Sequence, residues 1–312
     1  MPRLIIDTDP GIDDAFALAL AARSPECDLV AVTTVHGNVG LDLTTRNALK
    51  VLKLVDREDV PVGRGAARPL VYPTAVEKTA VHGGDGLSGQ AALLADRERG
   101  VEPEGAVALM ARLIRESDEP VTLVPIGPLT NVAALLAAHP EAADGIDRLV
   151  VMGGGLTGGN VNAAAEFNVW ADPEAAYRVL VEEDIPTTLV PIDLTYQCAV
   201  DADWLARLAA AGPLGAALEP MTGVYRAAYA KILGYDGTVI HDAVAVAEAI
   251  FPGTLKTKRV PLTVDTAFSP RRGGTLADLR LNAEPTPGFR LVNVAMETDV
   301  PAFTDLMLRR LS

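Results

Sequence analysis

Four aspartates, Asp7, Asp9, Asp13 and Asp14, fall within eight positions of the stretch IIDTDPGIDDAFAL, directly after an apolar run. Carboxylates this close repel one another and lose hydration when buried, unless a cation sits among them. Three chemistries fit these residue types. Asp13 and Asp14 could serve a helix N-terminus, where acidic side chains meet the positive end of the dipole. That accounts for one or two of the four. A hard cation such as calcium takes roughly six to eight oxygen ligands, which clustered carboxylates provide. An aspartyl nucleophile of the phosphatase kind is the third, since DTD after a strand suggests one.

The elements that must position these acids alternate along the chain. Residues 3–7 (RLIID) read as a buried strand and 13–23 (DDAFALALAAR) as the helix after it. DLVAVTTV (28–35) predicts the next strand and DLTTRNALKVLKLV (42–55) the next helix. VTLVPIG (121–127), RLVVMGGG (148–155) and TTLVPIDL (187–194) are further β-branched runs ending in Gly, Pro or Asp. Helices are expected at LTNVAALLAAH, PEAAYRVLVEE and ADWLARLAAA. KTKRVPLTVD and FRLVNVAMETD read as later strands, and PAFTDLMLRRL as a closing helix. This alternation predicts an α/β fold with a mainly parallel central sheet flanked by helices, a Rossmann-like core.

No linker long enough to separate domains interrupts the pattern, so residues 1–312 are expected to form one domain. No apolar run approaches the ~18 residues of a membrane helix, and Asp7 interrupts any signal-peptide core. Cys27 and Cys198 form no CxxC pair, which argues against a disulfide framework or a structural zinc site. A cytoplasmic protein is the expectation. The net charge of −14 makes nucleic acid and anionic membranes poor partners.

In open parallel sheets the ligand site lies outside the carboxyl ends of the strands. Asp7 and Asp9 fall there, as do VHGN (35–38), PIGPLTN (125–131) and MGGG (152–155), each after a predicted strand. The unusual residues therefore gather at one rim. Together DTDPGIDDAFAL, VHGN, HGGDGL (82–87), IGPLTN (126–131), AEFNVWADPEAA (165–176) and GTVIHDAVAVA (237–247) resemble the inosine–uridine-preferring nucleoside hydrolase family. The motifs occur in family order and spacing from residue 5 to about 250.

The resemblance implies hydrolysis of the N-glycosidic bond of purine or pyrimidine ribonucleosides, with one tightly held calcium. It puts calcium on Asp9, Asp14, Asp242 and the main-chain carbonyl of Ile126, where some relatives have threonine. Ribose would be held by Asp13, Asn38, Met152, Asn160, Glu166 and Asn168. The base would meet Phe167, His82, Tyr225 and Tyr229. Asp7 is expected behind the ligands, orienting them. Such a cleavage passes through an oxocarbenium-like sugar, which negative charge stabilises. Asp9 is the expected general base, acting on a water beside the metal, and His241 the expected donor to the departing base. Relatives are commonly dimers or tetramers, which implies a homo-oligomer.

Duller readings stand beside these. His36 and His139 are expected to be structural, and Asn131 a helix-start residue. Tyr225 and Tyr229, four residues apart, share a helix face and could be packing or could close over the base. A non-catalytic nucleoside-binding protein would not need both Asp9 and Asp14. A phosphorylase would need an anion site, yet no Lys or Arg lies within the matched motifs.

Overall fold

The computed structural model describes residues 1–280 and 284–312. Its strands are β1 (Arg3–Thr8), β2 (Asp28–Thr34), β3 (Val62–Arg64), β4 (Val121–Pro125), β5 (Ile146–Met152), β6 (Thr187–Val190), β7 (Ala199–Asp201), β8 (Gly237–Val239), β9 (Leu255–Val264), β10 (Thr275–Ala277) and β11 (Arg290–Thr298). Among the described residues, nine of them form one sheet in the order β10-β9-β11-β6-β5-β4-β1-β2-β3. From β3 to β11 every neighbouring pair is parallel, while β9 runs antiparallel to β11 and β10 antiparallel to β9. The two tail strands expected from the sequence thus join the same sheet, and β9 reverses its direction. β7 and β8 form a separate antiparallel pair.

Helices cover both faces, so the central strands are apolar along their length; all five residues of β4 are buried. Two apolar clusters fill the layers on either side of the sheet. In the first, the helices Ile12–Ala22 and His241–Ile250 pack against each other. Both are buried all round and rich in alanine, which permits a close approach. The consequence is chemical, because both helices begin at the same rim and carry Asp13, Asp14 and Asp242 in their first turns.

PEAAYRVLVEE departs from the single predicted helix. Pro173–Tyr177 is α-helical, but Arg178–Glu182 widens into a π turn. The wide turn keeps Val179 and Leu180 in the second apolar cluster while Arg178 reaches out to Glu183. Among the described residues, no helix is long and apolar enough to cross a membrane.

Candidate active site

The order β3-β2-β1-β4-β5-β6 reverses direction at the β1/β4 boundary, where a crevice opens beyond the carboxyl ends. The acids gather at that crevice. Asp9 follows β1 between two glycines that leave it room. A Cβ at Gly37 would lie 1.9 Å from Asp9 Oδ2, and one at Gly127 2.6 Å from Oδ1. The Asn38 backbone N–H donates to Asp9 Oδ2 at 2.7 Å, and its side-chain amide to Asp14 Oδ2 at 3.1 Å. Asp14 also accepts from Thr8 Oγ1 and from Gly11 N, the latter at 2.9 Å. VHGN therefore ties the two acids together through one asparagine.

Ligand oxygens of Asp13, Asp14 and Asp242 lie within 4.8 Å of one another, a buried acidic cluster able to hold a metal ion. Burial raises the pKa of Asp9 and Asp242 well above the ordinary carboxylate value and that of Asp13 to about 7, and neighbouring carboxylates add to each rise. Asp9 Oδ1 and Asp13 Oδ1 are buried with no hydrogen-bond partner. Unsatisfied, mutually repelling acids of this kind fit a hard cation among them. The tight triplet contains Asp13 where the resemblance implies Asp9. The Asp9 carboxylate is held instead by the Asn38 backbone N–H, in the room that the two glycines leave.

Above the acids is a recess. Asp13 and Asp242 line it, with Asn38, Ile126, Met152, Asn160, Glu166, Phe167 and Asn168. His82, Tyr225, Tyr229, His241 and Lys78 complete it. Asp9 and Asp14 are buried and are not among its lining residues. Asn168 donates to the carbonyls of Ile126 at 2.8 Å and Met152 at 3.2 Å, binding the ends of β4 and β5. Glu166 caps the helix Phe167–Ala171 by accepting from Asn168 N and Val169 N, and also accepts from Gly154 N at 2.9 Å. MGGG is thus a carboxylate-anchored turn, in which Gly154 adopts a φ of +75° that favours glycine.

His241 has both ring nitrogens engaged: Nδ1 with Thr195 Oγ1 and Nε2 with the Tyr229 hydroxyl, each at 2.6 Å. Burial pushes its pKa down to about 3, so it is neutral. Tyr225 and Tyr229 do share a helix face, with ring centroids 4.6 Å apart, and Tyr225 packs on His82 at 5.0 Å. His82 Nδ1 in turn accepts from Ile12 N at 3.2 Å.

The family of proteins described as "Inosine-uridine preferring nucleoside hydrolase" matches residues 4–305 of this chain. The chain belongs to that family. It is a ribonucleoside hydrolase, an enzyme acting on N-glycosyl compounds. The pyrimidine-specific ribonucleoside hydrolase RihA of Salmonella schwarzengrund (strain CVM19633) is 36% identical over 310 residues, covering 99% of this chain and 97% of its own. Among solved structures, the plant nucleoside hydrolase PpNRh1 superposes with a TM-score of 0.91 at 31% identity, over 99% of this chain and 98% of its own. The purine-preferring ribonucleoside hydrolase from Gardnerella vaginalis gives a TM-score of 0.90 at 32% identity, with the same coverage of both chains.

Three residues of the hydrolase do more than sequence reasoning expects. Asn131 is no helix cap: its side-chain amide donates to Asp7 Oδ1 at 2.8 Å and to the Thr34 carbonyl at 3.0 Å. With Thr33 Oγ1, 2.6 Å from the same Asp7 oxygen, it ties Asp7 on β1 to β2 and to the helix Thr130–Ala138. Thr195 follows β6 and fixes one side of the His241 ring. Lys78 brings a cation into the recess from outside the matched motifs. His36 and His139 stay outside the recess: the first is buried against Thr130, the second sits at the surface beside Glu141.

Proposed function

We propose that this hydrolase cleaves both purine and pyrimidine ribonucleosides to ribose and free base, with Ca²⁺ as its cofactor. The observation that carries this reading is the Thr195–His241–Tyr229 chain in the same recess as the Asp13–Asp14–Asp242 cluster. One end of the recess can meet a sugar that becomes positive, and the other can supply a proton to a departing base.

Calcium would be held by Asp9, Asp14, Asp242 and the Ile126 carbonyl. When bound it supplies the positive charge that lets the carboxylates stay ionised and acidifies a neighbouring water. Asp9, with its buried and unpartnered Oδ1, takes the proton of the attacking water. Asp13 lines the recess while Asp9 and Asp14 do not, which supports giving Asp13 and Asn168 to the 2′-hydroxyl. Asn160 and Glu166 hold the 3′ and 5′ side, and Asn38 and Met152 line the sugar pocket. Asp7 acts at a distance, by fixing the end of β1.

Phe167, His82, Tyr225 and Tyr229 surround the base. His241 has no ring nitrogen to spare, so it acts through Tyr229: with Nδ1 accepting from Thr195 Oγ1 and Nε2–H donating to the phenol oxygen, the phenol proton passes to the base, and the phenolate left is held by Nε2–H until water reprotonates it. The reading is tested by kcat/KM for inosine, adenosine, uridine and cytidine, measured as ribose release. Activity on members of both classes is expected. A narrower, pyrimidine-specific reading draws support from the 36% identity to RihA. Turnover of uridine and cytidine with none of inosine would establish it instead.

A further inference from the structure

Lys78 precedes the short helix Thr79–His82, in a segment that crosses the rim of the recess. Its backbone is fixed: its N–H donates to the Asn38 carbonyl at 3.0 Å, and its carbonyl accepts from Val81 N and His82 N at 2.8 and 3.0 Å. The half-buried side chain runs into the recess, where Nζ rides over the Phe167 ring, 4.5 Å from its centroid. Glu166, Asp13 and Asp242 line the same recess.

The ammonium has three donors. Among the described residues none of them meets an acceptor within hydrogen-bond distance, and Lys78 forms no ion pair. A cationic head at a recess mouth with no protein acceptor is free to donate to a group bound there. The Glu166 carboxylate lines the same recess, with its orientation already fixed by three backbone N–H groups. A group that fits between a carboxylate and an ammonium must both donate and accept. A hydroxyl does both, whereas a phosphate dianion would confront Glu166.

We propose that Lys78 is a specificity-determining residue for the sugar end of the substrate, its ammonium donating to the ribose 5′-oxygen while the 5′-hydroxyl donates to Glu166. The inference rests on the ribonucleoside reading of the recess and extends it to a residue outside the family motifs. The Lys78 bond forms on binding and persists through cleavage, so its loss falls on KM and leaves kcat nearly unchanged.

The test compares wild type, Lys78→Met and Lys78→Gln on whichever of inosine and uridine the wild type cleaves faster, and on its 5′-deoxy counterpart. A hydrogen bond to a charged group predicts a roughly 10- to 100-fold loss of kcat/KM for Lys78→Met on the parent nucleoside, carried by KM. On the 5′-deoxy substrate the same variant should differ from wild type by less than about 3-fold. Lys78→Gln, which keeps a donor, should lie between. Equal losses on both substrates, as a purely structural lysine would give, overturn the assignment while leaving the hydrolase reading standing. Wild-type protein that releases ribose from neither parent nucleoside overturns both.

Discussion

The Tyr229 hydroxyl lies 2.6 Å from Nε2 of His241, while Nδ1 of the same ring lies 2.6 Å from Thr195 Oγ1. In the proposed mechanism the imidazole is a connector, and the phenol is the end of the chain that meets the base. Inosine leaves poorly as an anion and needs a proton, whereas a nitrophenyl riboside leaves without one. Tyr229→Phe and His241→Ala should each lower kcat on inosine by roughly 10²-fold or more and spare the nitrophenyl riboside. Combined, they should cost little more than either alone, because both break one chain. Equal losses on the two substrates would make the pair a packing element.

The sugar contacts predict rejection of deoxyribose. Asp13 Oδ1 is buried and unpartnered, and the Asn168 amide is fixed by two carbonyls. A substrate without the 2′-hydroxyl leaves Asp13 Oδ1 unsatisfied, and sites built around a hydroxyl discriminate by roughly 10⁴-fold. Comparable kcat/KM for uridine and 2′-deoxyuridine would show that the ribose lies elsewhere.

His36 predicts acid sensitivity apart from catalysis. Thr130 donates its hydroxyl proton to Asp172 Oδ2 at 2.7 Å, so His36 Nε2–H must donate to Thr130 Oγ1, 3.1 Å away. Nδ1 is then a buried nitrogen with no partner, and protonating it would create a buried N–H with no acceptor. Burial accordingly pushes the His36 pKa down from 6.5 to about 4. A depressed folded-state value means stability that is present above pH 6.5 and is lost as pH falls from 6.5 towards 4. His36→Gln should lose less of its melting temperature than wild type across that window. Parallel decline of the two proteins would refute the role.

The acids are legible in the sequence because carboxylates crowded after an apolar run have few structural uses, and GTVIHDAVAVA marks where Asp242 joins them. Parallel-sheet alternation is legible as well, since each β-branched run ends in the Gly, Pro or Asp that turns the chain at the rim. Other parts depend on long-range packing. Thr195 and His241 meet only when β6 and the helix His241–Ile250 share a rim, and a threonine in LTYQ looks ordinary. Lys78 sits in a polar loop where a solvated lysine is expected, so nothing local marks it as facing inward. Asn131 stands in the first turn of the helix Thr130–Ala138, and only the neighbouring strands reveal that it binds Asp7. The order of the tail strands is likewise invisible locally, because reversal of β9 is a matter of which neighbour it finds.

The most direct test of the account measures ribose released from inosine and uridine by protein that has been exhaustively chelated and then given calcium, with metal content followed by elemental analysis. The crowding of Asp9, Asp13, Asp14 and Asp242 predicts that activity vanishes with the metal and returns with calcium. Asp9→Ala should remain about 10³-fold or more below wild type in kcat even with calcium restored. Full activity in verifiably metal-free protein would contradict the assignment of these carboxylates to a calcium site.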